Sequence, residues 1–272
     1  PLSSYVAQRV SKLRVGQAGE ELSELPAPVH AIDFGRLSVP PSRLDNACFW
    51  VFHGLVRLIL RVFCRMRIEG APPKTGGYVL VANHSSFVDP LILGASVRRR
   101  VIYLMTEPVW RSKSAGWFYR WNRSIPLSTR GGNREALRAA RDVLKQERVV
   151  GIFPEGGISR DGKLMLGSPG AVSLVLNQGL PIVPVGIVGA SDVMPSVGGL
   201  RLGRITVRYG EPISPEEVAG LGCDRRSRLR DTTRLIMQRL ASLTGQTARE
   251  DVLEAAHGGE AEGPATSAGG EL

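Results

Sequence analysis

The sequence predicts an α/β fold: a single domain with a largely parallel central sheet flanked by helices, plus an N-terminal amphipathic helical segment. Three observations carry this. Apolar runs of four to seven residues alternate with stretches of helical period. The connections between them are short, as in strand–helix units over a parallel sheet. Chemistry-bearing residues cluster just past the predicted strands, where α/β proteins present reactive groups. With 272 residues and 43% hydrophobic content, the chain can bury a real core.

Residues 1–43 are mixed. Ser3-Ser4 can cap a short helix carrying Val6, Val10 and Leu13, and Pro26, Pro28, Pro40 and Pro41 mark an irregular linker. Residues 44–66 give a strong helical pattern. Phe49, Trp50, Val51, Leu55, Leu58, Ile59, Val62 and Phe63 cover most of its circumference, while His53, Arg57, Arg61 and Arg65 recur at steps of four. An apolar helix with a basic stripe suits a membrane interface, where arginines meet lipid phosphates. The bland alternative is a helix packed on its own domain with solvated arginines. No stretch offers 18 uninterrupted apolar residues, so no ordinary spanning helix is expected.

Strands are expected at 66–69, 78–82, 101–105, 124–127, 149–153, 182–188 and 204–209. Helices are expected at 90–96, 110–121, 133–147, 169–178, 215–221 and 225–243. Trp110, Trp117 and Trp121 fall on one face of the second of these helices, as core packing or as an apolar patch at an interface. Pro184 inside the run 182–188 points to an edge or strand-end position. Beyond about Gln246 the composition turns to Gly, Ala, Glu and Thr, and 246–272 is read as a disordered acidic tail.

The formal charge of +10 and the isoelectric point near 10.1 imply anionic partners. Of 35 basic residues only five are lysines, and arginine suits phosphate and carboxylate recognition. Cys48, Cys64 and Cys223 lack metal-ligand spacing and read as reduced, mostly packed thiols in a cytosolic setting. No metal site is expected. No signal-peptide pattern opens the chain. Neither a phosphate-binding Gly-x4-Gly-Lys loop nor a Gly-x-Gly-x-x-Gly turn after a strand is present, so no ATP or NAD is expected.

The central stretch is NHSSFVD, Asn83 to Asp89, at the exit of the run 78–82. A neutral imidazole acts as a general base when a carboxylate orients its other nitrogen. His84 and Asp89 supply that pair. On one regular helix, residues five apart sit roughly 140° apart. The two can meet only if His84 lies in the turn leaving the strand and Asp89 in the first turn of the next helix. Three further stretches stand at strand ends. IPLSTR at 125–130 offers Arg130 to an anion, FPEGGISR at 153–160 offers Glu155 and Arg160 around the glycines Gly156 and Gly157, and IVPVGIVG at 182–189 is a buried-type strand. Paired glycines let a ligand approach the backbone closely.

These four stretches, in this order, resemble the glycerolipid acyltransferases, the bacterial 1-acylglycerol-3-phosphate acyltransferases and their relatives, across roughly 65–215. The resemblance implies an acyltransferase domain at 44–245, including the interfacial helix 44–66. His84 would be the general base and Asp89 its partner. Asn83, Arg130, Glu155, Gly156, Gly157 and Arg160 would bind substrate, the acceptor head above all, and Pro184 would shape the acyl-donor side. It implies acyl-CoA or acyl-carrier protein as donor, a lysophospholipid acceptor, no cofactor, and a peripheral place on the anionic cytoplasmic face of the cell membrane. Two departures stand out: the family usually has arginine where this chain has Ile158, and often lysine within 166–170. They leave room for another lysophospholipid or an amino-lipid such as an ornithine lipid as acceptor. A thioesterase keeps the same site with water as nucleophile. A basic nucleic-acid or lipid binder rests on charge alone, and no nucleic-acid-reading signature accompanies it.

Overall fold

The computed structural model describes residues 33–247, apart from 160, 162, 166, 169–171, 174–175, 177–178 and 195–200. The expected N-terminal helix, the tail beyond 247 and Arg160 lie outside the described residues. Of the expected helix 169–178, only Val172, Ser173 and Leu176 are described as helical.

After a 3₁₀ turn at Phe34–Leu37, the chain enters α1 (Arg43–Phe63), β1 (Arg67–Glu69), β2 (Tyr78–Ala82), α2 (Asp89–Ser96), β3 (Val101–Thr106), α3 (Glu107–Arg111) and α4 (Gly116–Trp121). It continues through β4 (Ile125–Leu127), α5 (Arg134–Lys145), β5 (Val149–Ile152), β6 (Ile182–Val188), α6 (Ala190–Val193), β7 (Thr206–Tyr209), α7 (Pro215–Ala219) and α8 (Arg225–Thr244). The seven strands form one sheet in the order β1-β7-β6-β2-β5-β3-β4. Neighbours from β6 to β4 run parallel, and β7 turns antiparallel to β6, carrying β1 with it. Strand β2 is central and buried at every position, so it reads as one unbroken apolar run.

Two cores cover the two faces. One packs Ala140, Val143 and Leu144 of α5 and Ile236 and Leu240 of α8 against Val79, Val81 and Val150. The other packs Leu60 of α1 and Ile92 and Leu93 of α2 against Leu80, Tyr103 and Val183. Strand order reverses beside β2: the chain moves out through β3 and β4, returns at β5, then crosses to β6. A crevice opens at such a reversal, beyond the carboxyl ends of the strands.

Several expectations are corrected. Pro184 is not at an edge or a strand end but in mid-β6, between β7 and β2. Its carbonyl accepts from the N–H of Gly210, one residue past the end of β7. In a strand the N–H and C=O of one residue point the same way, so the missing donor faces Gly210, past the end of β7, and costs no bond to β2. The expected helix 110–121 is two helices. Arg111 ends the first, Ser112 is extended, and its hydroxyl accepts from the N–H of Ala115 to start the next turn. Trp121 packs against Phe49 and Phe52 and donates to Asp45, whereas Trp117 faces outward. Of the three free thiols only Cys64 is buried, so the thiols are not mostly packed.

Helix α1 begins at a Ser42 cap, whose hydroxyl accepts from the N–H of Asp45. It ends at Phe63, before Arg65, which takes a left-handed φ of 44°. The basic stripe is therefore shorter than its sequence spacing implied. His53 also leaves it, since its Nε2 donates to the carbonyl of Gly94 in α2. Phe49 and Leu60 pack inward. Leu44, Val51, Leu55, Leu58, Val62 and Phe63 are each more than half exposed. Although charges interrupt its apolar run, α1 is long and apolar enough to cross a membrane.

Candidate active site

The site is built on the turn between β2 and α2. Ala82 ends the strand and Asp89 is the first residue of the helix, so residues five apart meet. The His84 Nδ1–H donates to Asp89 Oδ2 at 2.9 Å. Asp89 is fully buried, and the same oxygen accepts from the N–H groups of Ser85 (2.6 Å) and Ser86 (2.7 Å). Three donors on one oxygen suit an ionised carboxylate. With Nδ1 committed to Asp89, Nε2 carries the lone pair, on a ring that is 17% exposed. A buried carboxylate that fixes the tautomer, behind an imidazole with one reachable basic nitrogen, can take a proton from a hydroxyl.

The stretch after β5 holds the same turn from the other side. Glu155 is 6% exposed and turned inward. Its Oε1 accepts from the backbone N–H of His84 at 2.7 Å, and its Oε2 from the N–H of Met165 at 2.8 Å. Burial pushes this carboxyl above the usual glutamate range, and the two N–H donors pull it partly back. The N–H of Ser159 donates to the His84 carbonyl at 2.8 Å, so both backbone groups of His84 are bound. Phe153 stacks on the imidazole, ring centroids 4.4 Å apart, and Tyr103 stacks behind Phe153. Tyr103 is anchored in turn by donating to the Pro90 carbonyl.

The residues expected around substrate divide sharply. Asn83 is 1% exposed, and its amide pairs with both the N–H and the C=O of Ile187. It is a clamp between β2 and β6 and presents nothing to a ligand. Glu155 likewise has both oxygens on backbone donors instead of a headgroup. Pro184 is buried in mid-strand. Gly156 (φ 67°) and Gly157 flank the site, and a Cβ on Gly156 would meet nothing within 4 Å. Open space there and a left-handed backbone fit close approach by a ligand. Arg130 is exposed, just past β4 on the same edge of the sheet as His84. It stands three strands from β2, roughly 14 Å by strand spacing. The structure gathers His84, Asp89, Asn83 and Glu155 into one unit and leaves Arg130 outside it.

Sequence reasoning missed Phe153, the N–H groups of Ser85 and Ser86, and Ser159. Phe153 alone left a signal, as the residue that opens the 153–160 stretch at a strand end. Backbone donors leave none. Among the described residues no cluster of metal-ligating side chains occurs.

The sheet is covered by helices on both faces, and the Asn-His-x4-Asp turn stands at the exit of its central strand. Residues 65–188 match the model of the family described as Acyltransferase. The chain is 30% identical over 160 residues to a 1-acyl-sn-glycerol-3-phosphate acyltransferase of Chlamydomonas reinhardtii, covering 57% of this chain and 48% of that protein. It is 26% identical over 174 residues to the Bacillus subtilis protein of the same name, covering 63% of this chain and 83% of that one. The chain spans about half the length of the plant and algal relatives it matches. In fold it is similar to the crystal structure of the 1-acyl-sn-glycerophosphate acyltransferase PlsC of Thermotoga maritima. The TM-score is 0.58, at 21% identity over 79% of this chain and 88% of that one.

Proposed function

We propose that the protein is an O-acyltransferase of phospholipid biosynthesis, moving a fatty acyl group from a thioester to the free hydroxyl of a lysophospholipid. The observation that carries this is the His84–Asp89 pair, oriented, buried on the carboxylate side and open at Nε2. His84 Nε2 takes the proton of the acceptor hydroxyl as that oxygen attacks the thioester carbonyl. A tetrahedral oxyanion forms. Its collapse breaks the C–S bond, and the imidazolium returns the proton to the departing thiolate, so charge and protons balance. Asp89 holds the ring and balances the imidazolium. Glu155 and Phe153 position His84. Arg130, Gly156 and Gly157 are assigned to the acceptor side.

The donor is acyl-CoA or acyl-carrier protein. The thioester is already activated and the acceptor supplies the nucleophile, so the reaction needs no cofactor. The apolar outer face of α1 supports a place on a membrane, and we assign the cytoplasmic face, where such thioesters are met. The names of the relatives support a 1-acylglycerol 3-phosphate-like acceptor. Ile158, where the family usually carries arginine, favours testing amino-lipids beside it.

Thiol release from labelled acyl-CoA, measured across glycerol 3-phosphate, several lysophospholipids and amino-lipids, tests the reading. Release that requires one of these hydroxylated lipids supports transfer. Release at full rate with no acceptor would make the protein a thioesterase.

A further inference from the structure

A second feature on the His84 side of the sheet is outside the mechanism. The end of α1 and the segment 201–204 enclose an open groove of about 660 Å³, walled by Val62, Phe63 and Leu202 and edged by Arg65 and Arg204. The sequence gives no hint of it, because its two arginines are 139 residues apart.

The backbone brings them together. The N–H of Ile205 donates to the Cys64 carbonyl, and the N–H of Arg67 donates to the Ile205 carbonyl, pinning residues 64–67 against 205. Arg204 is fixed at its carbonyl side by the left-handed turn at Gly189, where no Cβ would fit. Gly189 lies two residues beyond Ile187, the partner of Asn83. The groove therefore shares a rigid sheet end with the catalytic turn. Arg65 adopts φ 44°, a conformation that costs a non-glycine residue energy and is often filled by Gly after a helix. Among the described residues neither guanidinium has an ion-pair partner. The walls are as unusual as the edge, for Leu202 is 81% exposed and continues the bare apolar face of α1.

We infer that this groove holds the phosphate of an anionic membrane phospholipid between Arg65 and Arg204, with the adjoining lipid chain against Phe63 and Leu202. Guanidiniums attract an anionic phosphodiester and donate to its free oxygens, and the apolar walls continue onto the surface proposed above to meet the membrane. The inference rests on that membrane reading. A filled groove would hold the sheet end carrying His84 at the depth of the lipid headgroups.

The test is partition of the full chain onto vesicles of phosphatidylcholine, with and without phosphatidylglycerol. The double variant Arg65→Asn, Arg204→Gln removes the cradle, and Asn is well tolerated at a left-handed position. About fivefold is expected for each juxtamembrane arginine, so roughly twenty-five-fold for the pair, on the anionic vesicles only. The control is Arg225→Gln, Arg226→Gln, an exposed pair on α8 across the sheet, which should change partition little. Leu202→Ser keeps the charge and lies on the surface, and should weaken binding to both vesicles. Equal losses from the control pair would mean that only net charge matters and would overturn the inference. So would wild-type binding indifferent to phosphatidylglycerol, or displacement by millimolar inorganic phosphate, which would mark a free-phosphate site. Failure of wild type to bind any vesicle would sink the membrane reading as well, whereas failure of acyl transfer would leave these results standing.

Discussion

The turn at 83–89 and the turn at 125–130 end on the same edge of the sheet and are built in opposite ways. In the first, nearly every polar group is consumed by the protein. Asn83 pairs with Ile187, Asp89 gathers three donors, and the backbone of His84 is bound at both its N–H and its C=O. Nε2 is left to act, while Asp89 Oδ1 is enclosed with no hydrogen-bond partner among the described residues. In the second, Arg130 stands in solvent beyond an edge strand, with only its backbone N–H bonded to the Ser128 hydroxyl. The contrast separates catalysis from recognition. The base is preorganised before substrate arrives, so little reorganisation remains for the chemical step. The headgroup role we propose for Arg130 falls on an exposed side chain, so substrate choice should be the easier property to alter.

Substitutions at the two turns should therefore fail differently. The largest effect belongs to His84→Ala, which should lower acyl transfer about 10⁴-fold with an unchanged melting temperature, checked by thiol release and thermal unfolding. Asp89→Asn should cost on the order of 10³-fold, because the amide no longer fixes the tautomer or balances the imidazolium. Retention of more than a tenth of wild-type activity would remove Asp89 from the mechanism.

The sharpest division is between Glu155 and Arg130. Glu155→Gln turns an NH₂ group on a backbone N–H and loosens His84, so kcat should fall about 10- to 100-fold with little change in KM for the acceptor. Arg130→Ala should do the reverse, raising the acceptor KM about tenfold at nearly constant kcat. If Glu155→Gln moved KM alone, the glutamate would be a headgroup ligand after all. A smaller effect is expected of Asn83→Ala, which strips partners from the buried N–H and C=O of Ile187 and should cost about 1–3 kcal/mol of stability in urea unfolding. Smallest in its effect on chemistry is Leu55→Glu on the outer face of α1. It should release the protein from vesicles while leaving its melting temperature within about 2 °C, a shift of well under 1 kcal/mol.

Most of the architecture was legible because apolar periodicity is a local property. The run 78–82 reads as a buried strand, and the spacing of His84 and Asp89 lets them pair only across a strand–turn–helix. What was not legible depends on distant partners. Pro184 seemed to demand an edge until Gly210 was seen beside it. Glu155 was read as a ligand for a headgroup because nothing local tells whether a carboxylate faces a substrate or the N–H of a residue 71 positions away. The stripe of His53, Arg57, Arg61 and Arg65 broke at both ends for the same reason, since Gly94 takes His53 and the helix stops at Phe63. The groove between Arg65 and Arg204 is created by pairing at Ile205, which no spacing within one segment reveals.

The claim on which the rest depends is that the imidazole of His84 activates a hydroxyl brought by a lipid. Acceptor-dependent thiol release from labelled acyl-CoA, compared between wild type and His84→Ala with and without 1-acylglycerol 3-phosphate, tests it most directly. The account predicts release that requires the lysolipid in wild type and falls about 10⁴-fold in the variant, which remains folded. Lysolipid-dependent release at the wild-type rate in His84→Ala would contradict it.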